Sequence, residues 1–219
     1  MKREQENGLI LTTMELHLCM ELLGREEWEG FPVLETNQSL EQRMLEAFFH
    51  LADLGLVEHE PEGYVISDEL PVRLYPVVWP QRILTACSRT GLLLNAYQED
   101  GRIVIVQQVL TEEQSCRVYP AETEELAELL VDEMLPETED ANLDQPLLET
   151  LPEDITLEEL LKQSEVVILV TSGDGTLERL LRLWRSKEQL MLSLIAEAEI
   201  STEAYTAQGL NRLLGENEV

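Results

Sequence analysis

The stretch closest to a phosphate-binding loop is Ser172-Gly173-Asp174-Gly175-Thr176, which follows the apolar run Val166 to Val170. Glycines let backbone amides approach an anion, so a glycine-rich turn after a strand is the pattern that nucleotide-binding loops use. This turn contains no lysine, and its glycine spacing fits neither a P-loop nor a dinucleotide-binding fingerprint. The pattern therefore favours a hairpin turn over a phosphate site.

Histidine and cysteine offer no metal site. His17, His50 and His59 are isolated from one another, and neither a His-x-x-x-His nor a Glu-x-x-His pair occurs. The cysteines at 19, 87 and 116 are too few and too scattered for a disulfide framework or a CxxC site. We expect no metal and no cofactor, and we expect the thiols to be buried.

Adjacent acids are the remaining candidates for chemistry. Pairs such as Glu124-Glu125 and Glu158-Glu159 are of the kind that holds a hard cation or exchanges protons. In a chain with 44 acidic residues such pairs arise by chance, so they receive no role. The sequence predicts no catalytic residue and hence no enzyme.

Net charge is the strongest global feature, because 44 acidic residues against 15 basic ones give a formal −29. Binding to a nucleic-acid backbone needs clustered Lys and Arg, so this balance argues against a nucleic-acid partner. High solubility, a basic protein partner and mimicry of a polyanion stay open. No apolar run approaches a membrane span and residues 1–6 lack a signal-peptide core, which predicts a cytoplasmic protein without membrane insertion.

Two segments, Gly91 to Tyr119 and Val166 to Ala196, have the pattern of the same three-stranded arrangement. Asp100-Gly101 lies between β-branched runs in the first and is a strong hairpin signal. Amphipathic helices follow at 123–135 and 202–214. Residues 177–184 have helical spacing, yet the duplication favours a strand. The predicted fold class is α+β, with two pseudo-repeated β-β-β-α units forming a mainly antiparallel sheet with flanking helices.

The N-terminal portion is predicted to be helical and winged-helix-like. One helix begins at Thr12 or Thr13 and stops at Gly24, and a second begins at Ser39 and ends at Gly55. A short hairpin follows over 56–66. The second helix carries more acids than bases, so we interpret this portion as structural rather than DNA-binding.

The proline-bearing stretch Pro71 to Pro80 is expected to be an extended connector or the start of a short helix toward Ala86, because proline removes backbone donors.

Domain boundaries follow from charge. No Lys, Arg or His occurs from Val118 to Leu161, and Pro136, Pro146 and Pro152 interrupt the middle of that stretch. We predict a first portion over 1–136, an acidic linker over 137–149 and a second β-unit over 150–219 that packs with the first as one globular body. Thr156 is predicted to cap a short helix.

The order of these elements resembles the EspG-type chaperones of type VII (ESX) secretion. The resemblance covers nearly the whole chain and consists of pattern. A central meander and an acidic connection are part of this pattern. The other segments that carry it are the opening helix Leu11-Thr12-Thr13-Met14-Glu15-Leu16, the helix end Leu54-Gly55-Leu56-Val57, the runs Val166 to Val170 and Leu183-Trp184-Arg185, and the closing helix Tyr205 to Leu214. It implies two pseudo-symmetric α/β halves and a cytoplasmic protein that keeps helical secretion substrates soluble.

The leading hypothesis is therefore a chaperone or adaptor for a helical secreted protein, with Trp28 and Trp184 as predicted partner contacts and a homodimer as a possible assembly. The alternative is an acidic inhibitor or immunity protein, including a nucleic-acid mimic, for a basic partner. Salt separates the two hypotheses, because an electrostatic complex dissociates as ionic strength rises.

Overall fold

The computed structural model describes residues 8–25, 28, 31, 39–60, 63–109, 115–135, 156–186, 189–196 and 199–215. The chain divides into two compact units, Met1–Pro80 with Tyr97–Pro120, and Gln81–Ala96 with Ala121–Val219. The predicted boundaries stay a prediction, and the predicted linker 137–149 lies outside the described residues.

The first unit opens with strand β1 (Leu9–Thr12) and helix α1 (Thr13–Leu22). The helix begins with a capping box, in which Thr12 Oγ1 accepts from the Glu15 amide and Glu15 Oε2 accepts from the Thr12 amide at 2.7 Å. These two bonds satisfy amides that a helix start leaves without partners. The predicted helix start is confirmed.

Helix α2 (Leu40–Asp53) is followed by the hairpin of β2 (Val57–Glu60) and β3 (Gly63–Ile66). Ser39 Oγ accepts from the Gln42 amide, as predicted, and the helix ends before Gly55, which has φ of +69°. The left-handed conformation at that position suits glycine because it has no Cβ. The predicted sequence of helix, glycine and hairpin is confirmed.

The stretch expected to be an extended connector or the start of a short helix toward Ala86 contains helix α3 (Glu69–Val78). The connector alternative was wrong, and the helix ends well before Ala86. Pro71 lies in the first turn, where a backbone donor has no helical acceptor. Pro76 leaves the carbonyl of Val72 without its usual bond, and Val72 is exposed to solvent. At the other end Arg25 Nη1 donates to the carbonyls of Val77 and Val78 at 2.9 and 2.6 Å, which compensates the helix C-terminus.

The meander predicted after Gly91 consists of β5 (Leu93–Glu99), β6 (Arg102–Val109) and β7 (Ser115–Ala121). Asp100 and Gly101 both have positive φ, as the predicted tight turn requires. The strand order here is β1-β7-β6-β5, and β1 pairs antiparallel with β7. Residues 93–96 of β5 belong to the second unit, and the rest of the strand belongs to the first.

The second unit contains five further strands in the order β4-β8-β9-β10-β11, with antiparallel neighbours. They are β4 (Arg82–Ser88), β8 (Val166–Ser172), β9 (Leu177–Ser186), β10 (Gln189–Ala196) and β11 (Glu199–Ala204). The strand predicted over 177–184 is confirmed. The sequence analysis missed β1, β4 and β11, and it placed the start of the closing helix at 202 rather than at 207.

Four helical segments complete the second unit. They are the 3-10 turn Thr123–Glu125, α4 (Leu126–Met134), α5 (Leu157–Lys162) and α6 (Ala207–Gly215). Thr156 caps α5 with a capping box, as predicted. Helices α4 and α6 are in contact, and the Ala127 amide donates to Asn211 Oδ1 at 3.3 Å.

The middle of β9 and its neighbours form a fully buried cluster in the second unit. Leu183 pairs with Val166 and with Leu192, and Leu181 pairs with Ile168, so these side chains share a face. Their exposed fractions are 0 to 1%. The described residues thus form a mixed α+β fold with a large antiparallel sheet and six α-helices, which confirms the coarse fold prediction.

Candidate protein-interaction site

In the glycine-rich turn after β8, the carboxylate of Asp174 accepts hydrogen bonds from other residues of the turn. Asp174 Oδ1 accepts from the Thr176 amide at 3.0 Å and from Ser172 Oγ. These bonds lower the pKa of Asp174 to about 2, with the Ser172 hydroxyl as the largest cause. A carboxylate that already takes up the turn donors repels a phosphate, so the hairpin-turn interpretation is confirmed.

Two histidines and two cysteines have hydrogen bonds or a degree of burial that indicate structural roles. His50 Nδ1 lies 2.6 Å from Glu15 Oε1 and links α2 to α1, and His17 Nε2 lies 2.9 Å from the Phe31 carbonyl. Burial raises the pKa of Cys19 and Cys116 to about 12, and the charge of Glu15 adds to the effect at Cys19. Within the described ranges no group of three or more His, Cys, Asp or Glu side chains is placed to hold a metal ion.

An exposed apolar surface is the most distinctive feature of the first unit. Helix α2 buries Ala47 and Leu51, but its apolar sector continues around the helix beyond this buried face. Phe48 stacks on Tyr64 of the hairpin with 4.7 Å between ring centroids and 25° between planes. Beside this stack the helix and hairpin expose four large apolar side chains, which we call the α2–hairpin surface: Leu45, Phe49, Tyr64 and Val65. Phe49 is 60% exposed, whereas a phenylalanine that serves only to fill the core is largely covered.

Acidic residues surround the α2–hairpin surface. The helix and strand β2 expose five carboxylates, Glu41, Glu46, Asp53, Glu58 and Glu60. Arg43 is the only Lys or Arg between residues 39 and 66. An apolar centre with a charged rim is the usual composition of a protein-binding surface.

A second apolar face lies on α3 and the residue that follows it. Val72 and Tyr75 on the helix and Trp79 directly after its end are 68, 42 and 56% exposed, whereas Leu70 and Leu74 on the opposite side of the helix are fully buried. We call the three exposed residues the α3 face. Exposed large apolar residues that line up on one side of a helix typically mark an interaction site.

Trp28, a predicted partner contact, is 7% exposed. Its ring meets His17 edge-on with 4.9 Å between centroids. Its indole Nε1 is buried and has no hydrogen-bond partner among the described residues. The Trp28 side chain thus packs against His17 of α1, and its contact with a partner stays a prediction.

Trp184, the other predicted contact, lies on β9 and is 6% exposed. Its Nε1 donates to Ser193 Oγ at 2.9 Å, and the guanidinium carbon of Arg182 lies 5.6 Å from its ring centroid. The structure does not bring Trp184 and Trp28 to an exposed position. Partner contact through Trp184 likewise stays a prediction.

The exposed aromatic residues were missed as site residues by the sequence analysis. The available signal was the width of the apolar sector on α2, where seven of the nine residues from 44 to 52 are apolar. A helix that packs against the core with a single side requires about half as many apolar residues over that length. For Trp79 the signal was its spacing from Val72 and Tyr75, which was hidden by the expectation of a non-helical connector.

Comparisons with known proteins identify the fold. No family model matches the chain, and no curated protein matches it. The structure is similar to that of EspG5, the type VII secretion system chaperone of Mycobacterium tuberculosis, solved in complex with the PE25-PPE41 dimer. The similarity has a TM-score of 0.56 and 10% sequence identity, and it covers 94% of this chain and 93% of that chain. The expected resemblance to this family is confirmed in the fold. The described residues contain no helix that is long and apolar enough to cross a membrane.

Proposed function

We propose that this protein is a chaperone or adaptor that binds a helical protein secreted by a type VII-like system and keeps it soluble. The observation that carries the proposal is the similarity of fold, over almost the full length of both chains, to a chaperone solved with a protein dimer. The proposal includes a cytoplasmic location, no enzymatic activity, and neither nucleic-acid binding nor membrane insertion. The pseudo-repeated units and the winged-helix-like portion belong to it as finer features of the fold.

The α2–hairpin surface is the proposed docking site. Aromatic side chains bury a large area and lose little entropy on binding, so Phe49 and Tyr64 are suited to anchor a partner. A helix that lays its apolar face along a groove contacts its partner through residues spaced three and four apart. Leu45 and Phe49 have this spacing and lie beside the raised hairpin.

The acidic rim adds selectivity to this site. Exposed charges around an interface contribute more to the rate of association and to the choice of partner than to affinity. With five carboxylates around the α2–hairpin surface, a partner helix whose apolar stripe is flanked by Lys or Arg is favoured over an acidic one.

The test is an affinity pull-down from a lysate of the native cell at low and high salt, with recovered proteins identified by mass. Three baits are compared: the natural chain, the double variant Leu45→Ser with Phe49→Ser, and Leu177→Ser. Leu177 is the matched control, because it is an equally exposed leucine in the second unit.

We expect small helical secreted proteins on the natural chain at both salt levels. The double variant should recover them at least about tenfold less well, since hot-spot truncations commonly cost 2 kcal/mol or more, and the control should behave like the natural chain. Recovery of a basic enzyme or toxin that is lost at high salt would contradict the proposal and support the inhibitor alternative.

The tryptophan contacts are tested in the same assay. Trp28→Ala or Trp184→Ala with the fold preserved and capture unchanged would remove that residue from the site. Size-exclusion chromatography with light scattering tests the proposed homodimer.

A further inference from the structure

Strand β9 carries a charge in the interior of the second unit. Arg182 is 2% exposed and is among the largest fully buried side chains of the described residues. Its Nε and Nη2 have no hydrogen-bond partner within the part of the chain that the structure describes. Among the described residues no carboxylate forms an ion pair with it.

Glu165 provides a contrast within the same unit. It is also completely buried, but Arg89 Nη2 and Arg185 Nε lie 3.7 and 3.9 Å from its two oxygens. Glu165 thus has two opposite charges within ion-pair distance, although its oxygens accept no hydrogen bond from the described residues, whereas Arg182 has no such opposite charge among them.

The surroundings of Arg182 form a row of polar groups across the strands. Ser193 is its direct cross-strand neighbour on β10, and Thr202 is the neighbour of Ser193 on β11. Ser193 Oγ lies 2.9 Å from Thr202 Oγ1 and also accepts from Trp184 Nε1. Thr202 is exposed, and β11 is the last strand of its sheet among the described residues, so the cross-strand row that contains Arg182 ends at the surface, although Ser193 within it is fully buried.

A buried guanidinium without an acceptor is not explained by stability. Arginine stays protonated at any physiological pH, and burying an unpaired charge is strongly unfavourable. The nearby Trp184 ring compensates only a part of this through a cation–π contact. Buried unsatisfied groups are uncommon in native proteins, and a bound water, ion or other group is one explanation for those that persist.

The geometry of the two free atoms indicates what would bind. The N–H groups of Nε and Nη2 lie in the guanidinium plane and point in parallel from one edge of it. This edge matches the two oxygens of a carboxylate, which it binds with two parallel hydrogen bonds.

We propose that Arg182 is the centre of a carboxylate-binding site, with the free Nε and Nη2 edge as donors, the Trp184 ring beside the guanidinium, and the Ser193 and Thr202 hydroxyls along the approach. The carboxylate comes either from an acidic side chain of a protein partner or from a small free acid. The inference is independent of the α2–hairpin surface and of the chaperone proposal.

The experiment is an NMR titration of the full-length ¹⁵N-labelled chain that monitors the indole N–H of Trp184, assigned with Trp184→Phe. The probes are sodium acetate, N-acetyl-glutamic acid amide and its neutral analogue N-acetyl-glutamine amide, at constant ionic strength set with sodium chloride. Two variants are titrated in parallel: Arg182→Met, and Arg212→Met as the control, because Arg212 is exposed and its replacement changes the net charge equally.

We expect a saturable shift with a carboxylate probe and none with the neutral analogue. Arg182→Met should weaken binding about tenfold or more, as the loss of charged hydrogen bonds implies, and Arg212→Met should leave it unchanged. Binding of the glutamic acid derivative assigns the site to a protein side chain, whereas binding of acetate alone assigns it to a small free acid.

The proposal is overturned if neither carboxylate gives a saturable shift, or if Arg182→Met binds as the natural chain does. Should Arg182→Met fail to fold, Arg182→Lys replaces it, because lysine keeps the charge and loses the two-pronged edge. The titration of the natural chain decides the outcome in either case.

Discussion

The α2–hairpin surface of the first unit and strand β9 of the second unit depart from the usual distribution of residues in opposite directions. The first exposes Leu45 and Phe49 to water, and the second buries the charge of Arg182. Scattered exposed apolar residues are ordinary, but a cluster of them and a buried unpaired charge are both uncommon. Each departure therefore points to a group outside the chain.

The two departures have different physical consequences. Exposed apolar side chains leave the fold intact and create a tendency to associate, which a net charge of −29 opposes by repulsion between copies. A buried charge lowers the stability of the unit that contains it. The first region is thus expected to matter for binding and little for stability, and the second to influence both.

The largest expected effect is on the core beneath β9. Leu183→Ala removes a fully buried side chain and should lower the free energy of unfolding by about 2 to 5 kcal/mol. Leu45→Ala, at an exposed position on α2, should change it by less than about 0.5 kcal/mol. Urea unfolding followed by circular dichroism measures both. Equal losses would show that the α2–hairpin surface is part of the core.

The next effect concerns the buried charge. Arg182→Met should raise the free energy of unfolding by about 1 to 3 kcal/mol, because an apolar side chain of similar length replaces an unpaired ion. Arg212→Met, at an exposed ion pair, should change it by less than about 1 kcal/mol. The same urea measurement applies. A loss of stability in Arg182→Met would mean that the cation–π contact with Trp184 outweighs the burial of the charge.

The third expected effect concerns two buried thiols of the first unit, which are uncharged in the fold, unlike Arg182. Cys19 and Cys116 have pKa values raised from 9.0 to about 12 by burial, so they stay protonated in the fold while the unfolded chain loses these protons above pH 9. Their contribution to stability is complete below pH 9 and is lost as the pH rises toward 12. Between pH 9 and 10 we expect a loss of about 1 kcal/mol for each thiol. Urea unfolding of the natural chain and of Cys19→Ala with Cys116→Ala at both pH values tests this, since the variant should lack that part of the pH dependence.

The smallest effect is at the exposed turn after β8. The pKa of Asp174 is lowered from 3.8 to about 2 by hydrogen bonds, mainly from the Ser172 hydroxyl. Its small contribution to stability is present above pH 3.8 and disappears as the pH falls toward 2. A ¹³C NMR titration of the carboxyl group should give a midpoint near 2, and Ser172→Ala should move it upward. A midpoint at the ordinary value in the natural chain would contradict the turn geometry.

Local rules predicted much of the fold, because the signals lie within a few residues of one another. The capping boxes at Thr12 and Thr156 and the positive φ angles at Asp100 and Gly101 were all anticipated from adjacent residues. The strand over 177–184 needed more than local spacing, since its side chains also fit a helical stripe, and the repeated pattern decided it.

Three strands escaped prediction, and helix α3 was foreseen only as an alternative, because tertiary pairing over long distances decides them. Strand β1 pairs with β7, about 105 residues away in sequence. Strand β4 is fixed by its pairing with β8, about 85 residues away. Strand β11 was read as the start of a helix, and it pairs with β10 across a short turn. Helix α3 accommodates Pro76, and Arg25, far away in sequence, donates to the carbonyls at its C-terminus.

The sequence by itself determined the α+β class, the main turns and helix starts, the acidic charge and the absence of known catalytic or metal-binding motifs. Tertiary structure alone decided which apolar residues face water and which charge lies in the interior. Trp28 and Trp184 were predicted as partner contacts and are buried in the structure, whereas Phe49 and Trp79 are exposed. Hydrophobicity favours burial of all four equally, and only the packing of neighbouring elements determines which of them are covered.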